Sequence, residues 1–213
     1  MTGHRTRGNR GLAVFDLDGT ILRGPTVCEL LAAPLGHLGE MKAFEKLKSE
    51  RDISRARIEM KRWYDGTPRD RLIGFLETVR LAPGAREGIA LLRAAGVEVG
   101  IASITWDFAV DWFARQLGVD HVLGTVIRDD GTIDHAWPHH KAAWLRKLAS
   151  QLAVPAERTA AVGDSVGDKE MLEAAAVRVF VGAEPPRGLK CVHMSDGNIL
   201  EVARTIIRHW SLA

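Results

Sequence analysis

The chain of 213 residues carries 29 Lys and Arg against 27 Asp and Glu, so its formal charge of +2 gives no reason to expect a nucleic acid as partner. Hydrophobic residues make up 46% and charged residues 26%, a balance that excludes disordered and collagen-like chains. Only Cys28 and Cys191 are present, which excludes a disulfide framework and a zinc-ribbon cluster and favours a reducing, cytoplasmic location.

The beginning of the chain is polar and basic. Residues 1–11 predict a disordered leader, and the apolar run at 12–15 is too short for the apolar region of a signal peptide. No later stretch approaches the roughly 20 apolar residues that span a bilayer, so we expect no membrane partner.

Four short apolar runs rich in Val, Ile and Ala predict buried parallel strands, at 12–15, 97–102, 159–162 and 177–181. Segments with helical periodicity predict helices at 84–95, 106–117, 141–152, 169–176 and 198–210. Strands and helices therefore alternate. This alternation predicts an α/β fold, a doubly wound parallel sheet with helices on both faces.

Two segments interrupt the alternation. Residues 25–82 contain no convincing strand, are rich in charges and show apolar residues at helical spacing. They predict a helical cap inserted into a core formed by 12–24 and 83–213. At 121–138, Asp130-Gly131 lies between two apolar β-type runs and predicts a hairpin.

Polar side chains follow the predicted strands. The first strand is followed by Asp16-Leu17-Asp18-Gly19-Thr20, the second by Ser103, and the third by a segment from Gly163 to Asp168, while Lys141 opens the helix after the hairpin. Because ligands of doubly wound sheets bind beyond the carboxyl ends of the strands, we expect these groups to converge there.

Four of these side chains are carboxylates, and their chemistry predicts a metal site. Asp16, Asp18, Asp164 and Asp168 would repel one another without a cation, and hard oxygen ligands suit Mg²⁺. Lys141 and the hydroxyl of Ser103 suit a phosphoryl group. We therefore expect an anionic substrate that binds together with the metal.

The order of the residues suggests their roles. Asp16 is the expected nucleophile toward phosphorus, and Asp18, on the same side of an extended segment, is the expected acid and base. Gly19 allows a sharp turn and offers N–H groups to phosphate oxygens. Asp164 is an expected metal ligand. Asp168, one helical turn later, is expected to orient Lys141 or a water at the metal.

These four segments resemble, in order and in spacing, the four motifs of the haloacid dehalogenase superfamily, over essentially the whole chain beyond residue 11. The phosphoserine phosphatase-like branch is the most similar, because the insertion after the first motif is helical. The resemblance implies Mg²⁺-dependent hydrolysis of a small phosphorylated metabolite through an aspartyl phosphate, under a closing cap. It implies metal binding by the side chains of Asp16 and Asp164 and the backbone carbonyl of Asp18. The expected substrate-binding residues are Gly19, Thr20, Ser103, Ile104, Trp106 and Lys141.

The chain departs from the phosphoserine phosphatase pattern at two places. Ile104 and Thr105 stand where those enzymes resemble one another in a glycine pair. Pro25 stands where they carry the glutamate that pairs with the substrate ammonium, and Glu29 lies one turn further on. Both departures argue against serine phosphate. Phosphoserine phosphatase activity, a phosphomutase and an inactive binding protein remain alternatives, and the chain is expected to be a monomer or homodimer.

Other candidates carry less weight. His135, His139 and His140 are interpreted as a polar loop near the entrance rather than a transition-metal site, since no thiol or carboxylate cluster accompanies them. The basic run in the cap predicts a solvated helix face, with Arg55, Arg57 and Arg62 as weaker substrate-binding candidates. Among the aromatic residues, Trp106 is the best candidate for a substrate contact because it lies three residues after Ser103.

Overall fold

The computed structural model describes residues 11–211, and its central element is a seven-stranded sheet. In spatial order the strands are Ile133–Asp134 (β6), His121–Ile127 (β5), Val97–Trp106 (β4), Gly11–Phe15 (β1), Thr159–Gly163 (β7), Val177–Phe180 (β8) and Val192–His193 (β9). Neighbouring strands are parallel except that β6 runs antiparallel to β5. The predicted doubly wound parallel sheet is confirmed.

The middle strand is buried on both faces. All five residues of β1 are buried, and Ala13 lies beside Val99 of β4 and Ala160 of β7. Phe15 belongs to one apolar cluster and Val14 to another on the opposite face, as the alternation of side chains in a strand requires. The sheet edge at the end of β1 is therefore held rigidly from both sides.

Helices cover both faces of the sheet. They are Ala85–Ala94 (α5), Asp107–Leu117 (α6), Pro138–Gln151 (α7), Lys169–Ala174 (α8) and Ile199–Ser211 (α9). The cluster that contains Phe15 includes residues of α5, α6 and α9, whereas the cluster that contains Val14 includes residues of α7 and α8. Because Pro138 suits a first helical turn, α7 begins three residues earlier than predicted.

Four helices lie within residues 25–82, which we call the cap segment: Val27–Ala32 (α1), Leu38–Phe44 (α2), Glu50–Trp63 (α3) and Arg69–Gly74 (α4). Thr26 and Glu29 form a capping box at the start of α1, and Ser49 caps α3. An antiparallel ribbon of Leu22–Arg23 (β2) and Arg80–Leu81 (β3) joins the ends of the cap segment. The division of the chain into a core and a cap domain stays a prediction.

The structure differs from the sequence-based elements at two further places. Gly11, which the sequence assigned to the leader, is the first residue of β1. A Cβ atom at this position would lie 2.6 Å from the ring of Trp210. The rest of the predicted leader, residues 1–10, lies outside the described residues. The first arm of the predicted hairpin belongs to a seven-residue strand, β5. Most residues of β5 are only partly buried, so the strand lacks the apolar run that predicts a buried strand. Between residues 11 and 211, no helix combines the length and apolarity needed to cross a membrane.

Candidate active site

A cavity of about 320 Å³ lies between the carboxyl edge of the sheet and the cap segment. Its floor is formed by side chains that follow or end three neighbouring strands: Asp16 after β1, Ser103 in β4 and Asp164 after β7, with Lys141 from α7. Asp18 also lines it. The structure therefore brings together residues from distant parts of the chain, as the convergence of strand ends predicts.

Lys141 joins two buried carboxylates. Its Nζ donates to Oδ1 of Asp16 at 2.5 Å and to Oδ1 of Asp168 at 2.7 Å, and all three side chains are at most 7% exposed. Burial alone would lower the pKa of Lys141, but the two carboxylates raise it above its usual value. Lys141 is therefore a permanently charged group beside Asp16.

The negative charges of the carboxylates around Lys141 outnumber its single positive charge. Burial, and then the charge of Asp168, raises the pKa of Asp16 and of Asp164. One oxygen from each of Asp16, Asp164 and Asp168 lies within 4.8 Å of the others. Burial also raises the pKa of Asp18, to about 6. Hard oxygen donors with too little positive charge fit a divalent cation.

Asp168 holds the loop after β7 in place. Its Oδ2 accepts hydrogen bonds from the backbone N–H groups of Asp164 and Ser165 and from the Ser165 hydroxyl, at 3.0 to 3.2 Å, while Oδ1 accepts from Lys141. The side chain is fully buried. This geometry suits a residue that orients Lys141 and Asp164.

Gly19 and Thr20 support Asp164 and are not among the residues that line the cavity. Gly19 has a φ of +80°, and a Cβ there would collide with the Asp164 carboxylate. The Thr20 hydroxyl donates to Oδ1 of Asp164 at 3.2 Å. Both residues therefore help to place Asp164, and their contact with substrate stays a prediction.

Asp18 connects the first motif to the cap segment. Its Oδ1 accepts the N–H of Val27 at 2.7 Å, in the first turn of α1. The exposed donors of a helix start favour a negative charge at that position. The carboxylate that faces the cavity is therefore also attached to the first cap helix.

Ser103 and Ile104 lie at the cavity, but Trp106 does not. Ser103 is buried and its Oγ accepts the N–H of Thr105 at 3.2 Å, while the side chain of Ile104 is 38% exposed. The Trp106 indole is 1% exposed and donates to the Tyr64 hydroxyl at 2.8 Å. A register shift in β4 between Ala102 and Trp106 interrupts the simple alternation of side chains, and the Trp106 ring packs edge-on against Tyr64 inside the protein.

Arg57 is buried beside the cavity, whereas its position in a charged run predicted a solvated helix face. It is 6% exposed, and its Nη2 donates to the carbonyls of Ile104 at 2.7 Å and Ala136 at 3.1 Å. Its Nη1 lies 3.0 Å from Nδ1 of His135, and its guanidinium lies over the Trp137 ring. Burial lowers its pKa to about 10. Arg57 thus fastens α3 to the core beside the site.

A signal for Arg57 exists in the sequence. Arg57, Met60 and Tyr64 are spaced as one face of a helix, and all three are buried. Arg62, by contrast, pairs with Glu59 on the surface, and Arg55 is exposed; neither lines the cavity.

Glu45 is a second residue that sequence reasoning missed. It lines the cavity from the cap side and accepts a hydrogen bond from the Thr26 hydroxyl at 2.7 Å. It lies just after α2 in a polar stretch, and no motif distinguishes it. Pro25 is not among the cavity residues, and Glu29 is used in the capping box of α1.

The three histidines have separate partners. His135 contacts Arg57, His139 lies 3.7 Å from a carboxylate oxygen of Glu50, and the ring of His140 caps the start of α7. Within residues 11–211, the carboxylates of Asp16, Asp164 and Asp168 form the only cluster with metal-ligand geometry.

Comparison with known proteins agrees with the fold and the motifs. A model of the haloacid dehalogenase-like hydrolase family matches residues 13–173. The phosphoserine phosphatase SerB2 of Mycobacterium tuberculosis is 32% identical over 82% of this chain and 44% of its own length, so the chain spans about half of that relative. The phosphoserine phosphatase of Idiomarina loihiensis is 27% identical, over 90% of this chain and 91% of its own.

A solved structure of a substrate-bound phosphoserine phosphatase complex shares the fold, with a TM-score of 0.77 at 21% identity, over 92% of this chain and 98% of its own. The resemblance inferred from the motifs is confirmed. Since the matched residues include most of β1 and all of β4 and β7 together with Asp16, Ser103, Lys141 and Asp164, this chain belongs to the haloacid dehalogenase-like hydrolase family.

Proposed function

We propose that the chain is a Mg²⁺-dependent phosphatase that hydrolyses small-molecule phosphomonoesters through an aspartyl phosphate on Asp16. The observation that carries this proposal is the position of Asp16. It lies at the end of the central strand, beside a charged lysine, on the floor of a cavity and within a cluster of carboxylate oxygens. Similarity to proteins named phosphoserine phosphatases supports it.

The side chains of Asp16 and Asp164 and the backbone carbonyl of Asp18 would hold the Mg²⁺. When bound, the ion supplies positive charge that offsets the repulsion between the Asp16 carboxylate and the substrate phosphate. Burial, and then the charge of Asp168, raises the pKa of Asp16 and of Asp164, and a cation held between these carboxylates would offset both effects.

The reaction then follows from the protein side chains. A carboxylate oxygen of Asp16 attacks phosphorus, and the bond from phosphorus to the ester oxygen breaks. Asp18 gives its proton to the departing alkoxide and later takes a proton from the water that attacks phosphorus. The bond between Asp16 and phosphorus then breaks, which releases inorganic phosphate and restores the Asp16 carboxylate. Lys141 and the Ser103 hydroxyl offer positive charge and a hydrogen bond to phosphoryl oxygens.

Phosphoserine phosphatase activity is the second candidate, favoured by the names of the relatives. Pro25 and Ile104 stand where phosphoserine phosphatases carry a glutamate and a glycine, and both argue against serine phosphate as the substrate. A phosphomutase and an inactive binding protein differ in what happens to the phosphoryl group: a mutase transfers it to another hydroxyl, and a binding protein leaves the ester intact. The cytoplasmic location and the monomeric or homodimeric state stay predictions.

Phosphate release from para-nitrophenyl phosphate tests the proposal. We expect Mg²⁺-dependent release of inorganic phosphate that stops when EDTA is added and returns when Mg²⁺ is restored in excess. Release of nitrophenol without inorganic phosphate, in the presence of an acceptor sugar phosphate, would favour the mutase. No turnover at any Mg²⁺ concentration would favour the binding protein.

Gly19→Ala tests the placement of Asp164. A Cβ at Gly19 would collide with the Asp164 carboxylate, so we expect the Mg²⁺ concentration for half-maximal activity to rise by roughly tenfold or more. Gly24→Ala is the matched control, because Gly24 also has a positive φ, +96°, but no atom lies within 4 Å of its Cβ position. The same Mg²⁺ requirement in both variants would contradict the role of Gly19.

A further inference from the structure

The cap side of the cavity is mostly apolar. It includes Met41, Phe44, Leu47, Ile53 and Met60 from the cap segment, with Ile104 opposite. A cavity of about 320 Å³ with such walls stabilises a ligand that can remove carbon surface from water, at about 25 cal/mol per Å². A polyol leaving group would find few hydrogen-bonding partners on these walls.

Glu45 is the one carboxylate among the cap-segment residues that line this cavity. The Thr26 hydroxyl donates to its Oε1 at 2.7 Å, which fixes one oxygen, and Glu45 makes no ion pair with any residue between 11 and 211. Its charge also reaches the catalytic floor, where it contributes to the raised pKa of Asp18. Glu45, which is exposed to solvent, thus offers a negative charge beside the apolar side chains of the cap wall.

Arg57, the cationic cap residue of the same cavity, has its partners inside the protein. Its guanidinium donates to two carbonyls and contacts His135, and these bonds join α3 to the core. A carboxylate on the leaving group would have to compete with them. Because the Arg57 Nη atoms already bond within the protein, whereas the one side-chain bond of Glu45 is to its Oε1, the hydrogen bonds of the cap wall favour an ammonium group on the leaving group over a carboxylate.

We propose, on the basis of the proposed function, that the substrates are phosphomonoesters of apolar amino alcohols: an aliphatic or aromatic body that packs against the cap wall, an ammonium group that binds Glu45, and no carboxylate. Glu45 is then the residue that determines specificity for the amine.

Phenylalaninol phosphate, its analogue in which hydrogen replaces the amine, and O-phosphoserine separate these features. We expect kcat/KM for phenylalaninol phosphate to exceed that for the other two by roughly tenfold or more, since a charge-assisted hydrogen bond is worth about that factor. Glu45→Gln should remove most of the preference over the deaminated analogue, chiefly through a higher KM.

Two further variants separate the contributions. Glu59→Gln is the matched control, because Glu59 pairs with Arg62 and does not line the cavity, and we expect wild-type kinetics. Ile53→Ser should lower kcat/KM for both aromatic probes by several-fold or more and should affect O-phosphoserine much less, because only the aromatic probes need the apolar wall.

The outcomes distinguish this inference from the proposed function. Hydrolysis of para-nitrophenyl phosphate without a preference for the amine, an equal effect of Glu45→Gln on the amine and deaminated probes, or a preference for O-phosphoserine or a hexose phosphate overturns the inference alone. Absence of Mg²⁺-dependent phosphate release from every ester overturns the proposed function and the inference with it.

Discussion

Asp16→Asn is expected to reduce Mg²⁺-dependent phosphate release by roughly 10⁴-fold or more, because an amide cannot form the bond to phosphorus that the proposed mechanism requires. The measurement is steady-state release from para-nitrophenyl phosphate. Acid quenching during turnover should also trap phosphate on the wild-type protein and none on the variant.

The fold of this variant should survive. The amide oxygen of the new side chain can still accept from Lys141, and Lys141 keeps its 2.7 Å contact with Asp168. The substitution also removes a buried carboxylate whose pKa is raised by burial, so its loss relieves repulsion from Asp168 and Asp164. We therefore expect thermal unfolding close to that of the wild type.

Asp129→Asn is the matched control, since Asp129 is an exposed aspartate near the hairpin turn and does not line the cavity. It should leave phosphate release unchanged. A folded Asp16→Asn protein with more than a few per cent of wild-type activity would contradict the assignment of Asp16 as nucleophile.

Asp18→Asn is expected to slow turnover by roughly 10²-fold or more, because an amide can neither protonate the alkoxide nor accept a proton from water. The amide oxygen in this variant can still accept the Val27 N–H, so α1 keeps its contact with the first motif. The wild-type carboxyl suits proton transfer, since burial raises the pKa of Asp18 to about 6, near the pH at which enzymes usually work.

A rapid-mixing experiment separates the two proton transfers. Nitrophenolate leaves without a proton, so Asp18→Asn should give a burst of nitrophenol close to one equivalent of enzyme, followed by slow turnover limited by hydrolysis of the aspartyl phosphate. An alkyl phosphate, which needs the acid in the first step, should show no burst. Near-wild-type turnover of both esters would refute the role of Asp18.

Most of the fold could be predicted from the sequence because the strongest sequence signals, the apolar runs of the central strands, are local. Apolar runs mark β1, β4, β7 and β8, and an aspartate or serine at or near the end of a buried strand identifies the sheet edge where ligands bind. The sequence signal was weaker where strands lie at the edges of the sheet. β9 has two exposed residues, and most of β5 is only partly buried, so neither shows the apolar run of a central strand.

The residues that form the floor of the cavity could also be predicted from the sequence, whereas the cap residues around them could not. Asp16, Asp18, Asp164 and Lys141 stand in motifs whose order and spacing carry the information. Arg57 bonds to carbonyls 47 and 79 positions away, so its partners depend on how the cap segment packs on the core.

The amino-acid sequence was sufficient to predict the sheet, the carboxylates at its edge and the family. Three features became visible only in the folded chain: Trp106 packs inward, Gly19 and Thr20 support Asp164, and Glu45 and an apolar wall face the site. Strand ends follow from the local hydrophobic pattern, whereas burial and side-chain contacts depend on segments that are distant in the chain and meet only on folding.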